Sequence, residues 1–340
     1  MDKVFIIAEI GQAHEGSLGI AHSYIDALAD TGVDAIKWQT HIADAESSPQ
    51  EPFRVQFSYE DATRIDYWRR MEFTREQWQA LKQHCEEKGM EFISSPFSNA
   101  AIDLLEALGV QRYKVGSGEV SNWLLLEKMA RTGKPIILSS GMSSFEELDA
   151  TIQFLKGFNN PLAILQCTTA YPTVPQQWGL NLIQELKNRY QLPVGFSDHS
   201  GDVNACIAAT ALGAEILEFH VVFDKRMFGP DAKASLTIDQ TKQLVQGVRQ
   251  VSSALAHPVN KTNNVQFDEL KHIFGKTLAV NRDCTAGTLI TFDMLEAKKP
   301  RGQGIEAAQF RTILGKKLVV PKKAWEFIRE EDIVCVRKEK

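Results

Sequence analysis

The 340-residue sequence lacks any long hydrophobic run, and this absence excludes several classes of protein. The longest apolar stretches, such as Val4–Ala8 and Ala205–Ala209, fall far short of the roughly twenty residues that a membrane-spanning helix needs. The N-terminus also lacks the apolar core and small-residue cleavage site of a signal peptide, because two charged residues lead directly into Val4. We therefore expect a cytoplasmic protein that does not associate with membranes.

Cysteine and clustered positive charge are also scarce. The five cysteines are odd in number and irregularly spaced, which fits neither a disulfide framework nor a thiolate zinc site, so we expect reduced, mostly packed side chains. The formal net charge is −5 and no long basic tract offsets it, so broad nucleic-acid binding is not expected. An anionic substrate would have to be held by a few individually placed cations.

Eight short β-rich runs recur along the first three quarters of the chain, each followed by a segment with helical spacing or a helix-start signal. Several runs are almost continuously apolar, as expected of parallel strands covered on both faces. The runs are Val4–Gly11, Ala35–Thr40, Glu91–Pro96, Arg112–Ser117, Pro135–Ser140, Leu162–Thr168, Pro193–Asp198 and Ile216–Val221. Strict alternation of strand and helix predicts the α/β class, and eight units match a closed (β/α)₈ TIM barrel of about 250 residues.

The barrel is predicted to occupy residues 1–256 as the catalytic domain. A doubly wound open sheet is the alternative, but it would usually carry a Gly-rich dinucleotide turn after the first strand, and Gly11–Gly16 lacks that pattern. The polar segment 257–274 is predicted to be a linker. Residues 275–340 are predicted to form a small β-rich domain, which at roughly 65 residues would be marginally stable by itself.

Polar side chains stand at the C-terminal ends of all eight predicted strands, where a (β/α)₈ barrel builds its active site. His199 and His220 end adjacent strands, and neutral imidazoles there suit a divalent metal with open coordination positions. Lys37 and Lys114 lie among Ser and Thr hydroxyls, which together suit a phosphate or carboxylate. The pattern indicates a small doubly anionic substrate and carbon–carbon bond chemistry at a carbonyl that a metal polarises.

Each of these residues also has a purely structural interpretation when taken alone. Glu9 or Lys37 could belong to a buried ion pair, and Asp198 with Ser200 could cap the following helix. The remaining histidines lack comparable placement, and we interpret most of them as surface or packing residues. They are His14, His22, His41, His84, His257 and His272.

An ordered series of short motifs runs along nearly the whole chain. The motifs are Ala8–Gly11, His14–Gly16, Lys37–Thr40, Ser95–Ser98, Tyr113–Glu119, Leu138–Met142, Cys167–Pro172, Gly195–Ser200 and Gly229–Asp231. In this order they resemble the sialic acid synthases. The resemblance implies an enzyme of carbohydrate biosynthesis that condenses phosphoenolpyruvate with an open-chain N-acyl amino sugar and water and releases phosphate. It also implies a C-terminal antifreeze-like (SAF, β-clip) domain that reaches over the partner's barrel in a domain-swapped homodimer.

The resemblance also implies roles for individual residues. His199 and His220 are the implied ligands of the metal, Mn²⁺ or Mg²⁺, and Glu9 lies beside it. These three residues and Glu119 are the expected catalytic residues. The implied phosphoenolpyruvate contacts are Lys37, Ser95, Lys114, Ser117, Ser139, Thr169 and Ser197. The implied sugar contacts are Gln39, Glu119, Tyr171 and Asp231, with Lys299 and Arg301 supplied by the tail of the partner subunit.

The chain departs from the family pattern at three places. Thr169 stands where some members have Asn, Phe219 stands where a basic residue is common, and Lys299 occupies the position of an Arg, with Arg301 following after an apparent insertion. Lys and Arg are not equivalent donors, so this contact does not identify the sugar.

Several functions remain open at this point. The leading acceptor is N-acetylmannosamine, and a 2,4-diacetamido-trideoxy hexose, giving legionaminic or pseudaminic acid, is the alternative. A metal-dependent pyruvate aldolase would need no phosphate cradle, and release of inorganic phosphate would separate it from a synthase. A sugar-binding module on an inactive barrel is disfavoured, because both histidines and both lysines are present.

Overall fold

The computed structural model describes residues 3–335. The chain divides into two compact units, the first ending at Pro258 and the second beginning at Val259. Within the described range, no helix combines the length and apolar character needed to cross a membrane.

The first unit is a closed parallel barrel, which confirms the predicted fold class. Each strand pairs with the next along the chain, and β1 also pairs with β8, with Glu9 opposite His220 in the register. A short β9 (Leu236–Thr237) extends β8. The eight barrel strands are β1 (Phe5–Gly11), β2 (Ala35–Thr40), β3 (Glu91–Pro96), β4 (Tyr113–Val115), β5 (Ile136–Ser139), β6 (Leu162–Cys167), β7 (Val194–Asp198) and β8 (Ile216–Val222).

Ten helices accompany these strands, and local sequence explains where several of them begin and end. Thr74, Ser144 and Thr237 each form a capping box with a Glu or Gln three residues later. Gly109 ends one helix in the left-handed conformation, at φ 71°. The helices are α1 (Leu18–Ala29), α2 (Ala43–Glu46), α3 (Arg64–Met71), α4 (Arg75–Glu87), α5 (Asn99–Leu108), α6 (Trp123–Ala130), α7 (Phe145–Lys156), α8 (Asn181–Tyr190), α9 (Val203–Ala211) and α10 (Ile238–Ala256).

The pleat of the strands separates two apolar cores and also positions the polar residues. One face of each strand packs with the helices in the main core, and the other face forms a smaller core. The smaller core contains Ile7, Ala35, Ile93, Ile137, Ala163, Leu165 and Ile216. Because strand side chains alternate, the next residues on this same face lie two positions further along each strand. They include Glu9, Lys37, Ser95, Ser139, Cys167 and Glu218.

The second unit is small and β-rich, as predicted. Its core gathers residues such as Leu278, Ile290, Ile313 and Ile328. Its elements are α11 (Asp268–Phe274), β10 (Thr277–Val280), β11 (Leu295–Lys298), α12 (Phe310–Ile313), β12 (Lys317–Leu318) and β13 (Ile333–Val334), with β10–β11 and β12–β13 pairing antiparallel.

Helix α11 lies inside the segment 257–274, which was predicted to be a linker. Two acidic residues in its first turn and Lys271 and His272 in its last turn complement the helix dipole. These charges stabilise a short helix in a segment whose polar composition predicted only a linker without regular structure.

Candidate active site

A cavity of about 430 Å³ opens where the barrel strands end. All the predicted site residues of the first unit line this one cavity. They are Glu9, Lys37, Gln39, Ser95, Lys114, Ser117, Glu119, Ser139, Thr169, Tyr171, Ser197, His199, His220 and Asp231. Polar residues at alternate strand positions face away from the cavity and form hydrogen bonds among themselves, as Ser94 Oγ does with Thr40 Oγ1 at 2.7 Å.

The two predicted lysines share one buried carboxylate. Lys114 Nζ lies 3.4 Å from Glu218 Oε1, and Lys37 Nζ lies 3.7 Å from the same oxygen. Lys37 also pairs with Glu9 Oε2 at 2.5 Å, and Lys114 donates to Ser139 Oγ at 2.7 Å. Because all four residues of this cluster, Lys37, Lys114, Glu218 and Glu9, are buried, the two lysines are fixed in place before any substrate arrives.

The charge balance of the cluster differs at its two lysines. Burial lowers the pKa of Lys114, which faces Glu218 but also the like charge of Lys37. Burial opposes the charged form of Lys37 too, but Glu218 and Glu9 together raise its pKa. Burial likewise disfavours the ionised carboxylate of Glu218, and the two lysines overcome this and hold its pKa below the usual range. The two lysines therefore share the carboxylate of Glu218, and only Lys37 has a second carboxylate, Glu9, against it.

Hydroxyl groups surround the two lysines. Ser95 Oγ is buried and has no hydrogen-bond partner among the described residues. Ser117 Oγ accepts the backbone N–H of Gly141 at 3.1 Å. A Cβ at Gly141 would lie 2.5 Å from both Ser117 Oγ and Thr169 Oγ1, so only glycine lets these groups come together. An unpartnered buried hydroxyl beside two cations is a site prepared for an anion.

Two buried imidazoles adjoin this cluster. The ring centroids of His199 and His220 are 5.4 Å apart. Burial, then the neighbouring His220, lowers the pKa of His199 to about 3, so this ring is neutral. Its Nδ1 is 3.0 Å from the carbonyl oxygen of Thr168, and its Nε2 is 3.0 Å from the hydroxyl of Tyr171.

The two histidines suit a divalent cation with oxygen ligands at its remaining positions. The carbonyl bonded to Nδ1 of His199 fixes the tautomer that keeps a lone pair on Nε2, which is how metal-binding histidines are usually oriented. Within residues 3–335, no group of three or more His, Cys, Asp or Glu side chains is arranged to hold a metal. A metal here would therefore take its other ligands from water or substrate.

The predicted sugar residues of the first unit line the same cavity as the lysines and histidines. Gln39 donates to Glu9 Oε1 at 2.7 Å. Glu119 accepts from Asn122 at 2.7 Å, and burial raises the pKa of its carboxyl group. The ring of Tyr171 stacks on His199, with centroids 4.1 Å apart.

Arg54 is a cavity residue that the sequence did not reveal. It lies in the loop between α2 and α3, yet its guanidinium pairs with Asp231 at 2.9 Å and lies 4.1 Å from the Tyr171 ring centroid. The same loop also contributes Glu51, which pairs with Arg64 at 3.0 Å. These contacts join parts of the chain that are far apart in sequence, so no local pattern indicates them.

The interpretation of His41 as a residue without site placement was wrong. His41 directly follows β2 and lines the cavity, as does Gln12, which directly follows β1. The position of each at a strand end was the available signal. His14 is buried against Phe73, with ring centroids 4.8 Å apart, and is a packing residue as expected.

Lys299 and Arg301 belong to the second unit. Arg301 pairs with Glu306 at 2.7 Å, and Lys299 Nζ lies 4.7 Å from the ring centroid of Phe274. Their role toward a sugar stays a prediction.

Comparisons with known proteins agree in pointing to one family. A family model described as the NeuB family matches residues 24–260. The chain is 32% identical over 336 residues to the N,N'-diacetyllegionaminic acid synthase of Campylobacter jejuni, covering 97% of this chain and 100% of that protein. It is 33% identical over 331 residues to the human N-acetylneuraminate-9-phosphate synthase, covering 96% and 92%. Among solved structures, the N-acetylneuraminic acid synthetase of Leptospira borgpetersenii in complex with citrate matches with a TM-score of 0.71 and 30% identity, over 79% of this chain and 90% of that chain.

Proposed function

The chain belongs to the NeuB family, and from that premise we propose that it is a nonulosonic acid synthase. It condenses phosphoenolpyruvate with an open-chain N-acyl amino sugar and water, and it releases phosphate. N-acetylmannosamine is the leading acceptor, with N-acetylneuraminate as product. A 2,4-diacetamido-trideoxy hexose is the alternative, because one relative is a diacetyllegionaminic acid synthase.

One observation carries this proposal: two lysines around Glu218 lie beside the buried imidazoles of His199 and His220 in a single cavity. The lysines supply the fixed cations that a small, multiply charged anion needs. The histidines suit a Lewis-acidic cation next to that anion. A pyruvate aldolase would need the second feature but would not need an elaborate anion cradle.

In the proposed reaction, phosphoenolpyruvate is bound by Lys37 and Lys114 with the surrounding hydroxyls. The hydroxyl donors are Ser95, Ser117, Ser139, Thr169 and Ser197. Held in this way, C3 of phosphoenolpyruvate attacks the sugar aldehyde, water adds at C2, and phosphate leaves by cleavage of the carbon–oxygen bond. Since the lysines are already fixed by Glu218 and Glu9, little reorganisation is needed on binding.

His199 and His220 would hold Mn²⁺ or Mg²⁺, which supplies polarisation of the aldehyde when bound. Gln39, Tyr171 and Asp231 orient the sugar. Glu119 is proposed to exchange protons with the reacting groups, since a carboxyl group with a raised pKa can carry a proton closer to neutral pH.

The charges at the cavity mouth support an uncharged acceptor. Both arginines among the described residues that line the cavity are already paired, Arg54 with Asp231 and Arg64 with Glu51. Glu46 and Glu119 add negative charge to the same lining. A sugar phosphate would meet no unpaired arginine among the described residues that line the cavity. We therefore propose that the acceptor carries no phosphate, unlike what the name of the human relative indicates for its product.

The remaining expectations concern assembly and location. We propose that the second unit is an antifreeze-like domain and that Lys299 and Arg301 reach the sugar in the partner subunit of a domain-swapped homodimer. A cytoplasmic location also stays a prediction.

The decisive experiment offers the purified protein phosphoenolpyruvate and Mn²⁺ with each candidate sugar, and measures phosphate release together with the mass of the product. Turnover of pyruvate instead of phosphoenolpyruvate would favour the aldolase.

A further inference from the structure

An unbroken chain of hydrogen bonds and ion pairs runs along the cavity wall, from a carboxylate on α2 to a lysine of the anion site. Its members in order are Glu46, His41, Gln12, Gln39, Glu9 and Lys37. We propose that His41, Glu46 and Gln12 are positioning residues that fix the amide orientation of Gln39. The inference rests on the proposed function, in which Gln39 contacts the sugar.

His41 is held in a single ring orientation. The ring lies between Trp68 and Phe97, with centroid distances of 4.1 Å and 4.7 Å and interplanar angles of 16° and 7°. Only 3% of His41 is exposed. The stack prevents the ring from tilting, so its two nitrogens face fixed directions along the cavity wall.

Glu46 determines which ring nitrogen carries the proton. Its Oε1 lies 2.6 Å from His41 Nδ1, and its other carboxylate oxygen accepts the backbone N–H of Ile42 at 3.3 Å. An ionised carboxylate only accepts hydrogen bonds, so Nδ1 must be the donor. In the neutral ring, Nε2 is then an acceptor.

The acceptor at Nε2 fixes both amides. Gln12 must present its amide nitrogen to His41, at 3.0 Å, and the same nitrogen donates to Gln39 Oε1. With its oxygen held in this way, Gln39 turns its own amide nitrogen to Glu9, at 2.7 Å. Donation therefore runs outward from the amide nitrogen of Gln12, through His41 to the carboxylate of Glu46 on one side and through Gln39 to the carboxylate of Glu9 on the other.

The reverse orientation would be internally inconsistent. If Gln39 were flipped, its carbonyl oxygen would face the carboxylate of Glu9, and its amide nitrogen would face the amide nitrogen of Gln12, which His41 holds in place. Two acceptors would then face each other in a buried place. This series of hydrogen bonds therefore holds the side chain of Gln39 in one orientation, in which its remaining N–H is the group available to the sugar.

The first test is the tautomer of His41, measured by ¹⁵N NMR of histidine-labelled protein, with the His41 signals assigned by their loss in His41→Phe. The phenyl ring keeps the stack between Trp68 and Phe97 and removes both nitrogens. We expect a neutral His41 protonated at Nδ1 in the wild type, and loss of that single tautomer in Glu46→Leu. A His41 protonated at Nε2 would overturn the proposal whether or not the protein has synthase activity.

The second test is steady-state kinetics with the sugar that the protein uses. His41→Phe and Glu46→Leu should raise the KM for the sugar by about tenfold or more, the effect of one lost or misdirected hydrogen bond, with the KM for phosphoenolpyruvate little changed. Glu46→Gln should restore sugar binding, because its amide oxygen can accept from Nδ1. A matched control is His84→Phe, since His84 also faces a carboxylate, Asp26 at 3.2 Å, but does not line the cavity.

These outcomes separate this proposal from the proposed function. Equal sugar KM values in the wild type, His41→Phe and Glu46→Leu would contradict the positioning role while leaving the synthase assignment intact. If no candidate sugar is turned over, the proposed function fails. The tautomer measurement alone then decides whether the hydrogen bonds from Glu46 to Glu9 have the donors and acceptors described.

Discussion

His199 and His220 lie with their ring centroids 5.4 Å apart at the ends of adjacent strands. Since no third protein ligand is arranged around them within residues 3–335, we predict that His199→Ala and His220→Ala each lose the metal. Metal content after dialysis and Mn²⁺ binding followed by electron paramagnetic resonance measure this directly.

Chelator treatment of the wild type should abolish activity and added Mn²⁺ should restore it. His257→Ala, at an exposed position, serves as the control, and full activity after thorough metal removal would refute the assignment.

Replacement of Lys37 or Lys114 should weaken the use of phosphoenolpyruvate more than the use of the sugar. Lys37→Met and Lys114→Met each remove a charge-assisted contact of about 1.5–3 kcal/mol, which should appear in kcat/KM for phosphoenolpyruvate. Each replacement also leaves Glu218 with one cation fewer in a buried place.

The double variant Lys114→Met/Glu218→Gln separates binding from folding. It removes the buried carboxylate that Lys114→Met leaves with only the more distant Lys37, so its thermal stability should exceed that of Lys114→Met, while the defect with phosphoenolpyruvate should remain. Unchanged phosphoenolpyruvate kinetics in both single variants would mean that the anion binds elsewhere.

Much of this site could be predicted because a strand alternates its side chains. Once Ile7 and Ile216 are assigned to the barrel interior, Glu9 and Glu218 must follow on the same face. The sequence could not show that Glu218 lies between two lysines, because that relation joins three separate strands. It also could not place Arg54, whose loop is positioned by contacts with Asp231 and Tyr171 rather than by a local pattern.

Buried His14 should make the protein sensitive to acid. Burial, and then the neighbouring His41 and Arg70, lowers its pKa in the folded state to about 3, against 6.5 in the unfolded chain. The unfolded chain therefore binds more protons between these values, and stability falls as the pH decreases from 6.5 toward 3.

Replacing His14 by Gln should remove up to one proton from this linkage. The free energy of unfolding of the wild type should then fall more steeply than that of His14→Gln, by up to about 1.4 kcal/mol per pH unit. Urea titrations at pH 6.5, 5.5 and 4.5 measure both slopes, with His257→Gln as an exposed control. Parallel slopes would show that His14 is not held neutral in the folded protein.

The barrel should fold without the second unit. The main core is built entirely from residues up to Val248, and the second unit has a separate core beginning at Leu278. A chain ending near Val265 should therefore show a cooperative melting transition and helical circular dichroism. Catalysis should nevertheless fall, because the proposed tail contacts to the sugar and the exclusion of water are lost.

Mixing this shortened chain with full-length His220→Ala tests whether the tail acts across subunits. A mixed dimer would combine an intact barrel with an intact tail and should recover activity that neither chain has alone. If mixed dimers form and activity does not return, the domain-swapped arrangement is wrong, and the barrel chemistry is unaffected.

The synthase activity is tested most directly by identifying the products formed from phosphoenolpyruvate and Mn²⁺ with N-acetylmannosamine, its 6-phosphate, or a 2,4-diacetamido-trideoxy hexose. We expect an uncharged sugar to be consumed with one phosphate released for each phosphoenolpyruvate, and the product mass to equal the sugar plus phosphoenolpyruvate plus water minus phosphoric acid. Turnover of only the 6-phosphate would contradict the proposed uncharged acceptor. The absence of phosphate release with every sugar, in protein shown to bind the metal, would contradict the synthase itself.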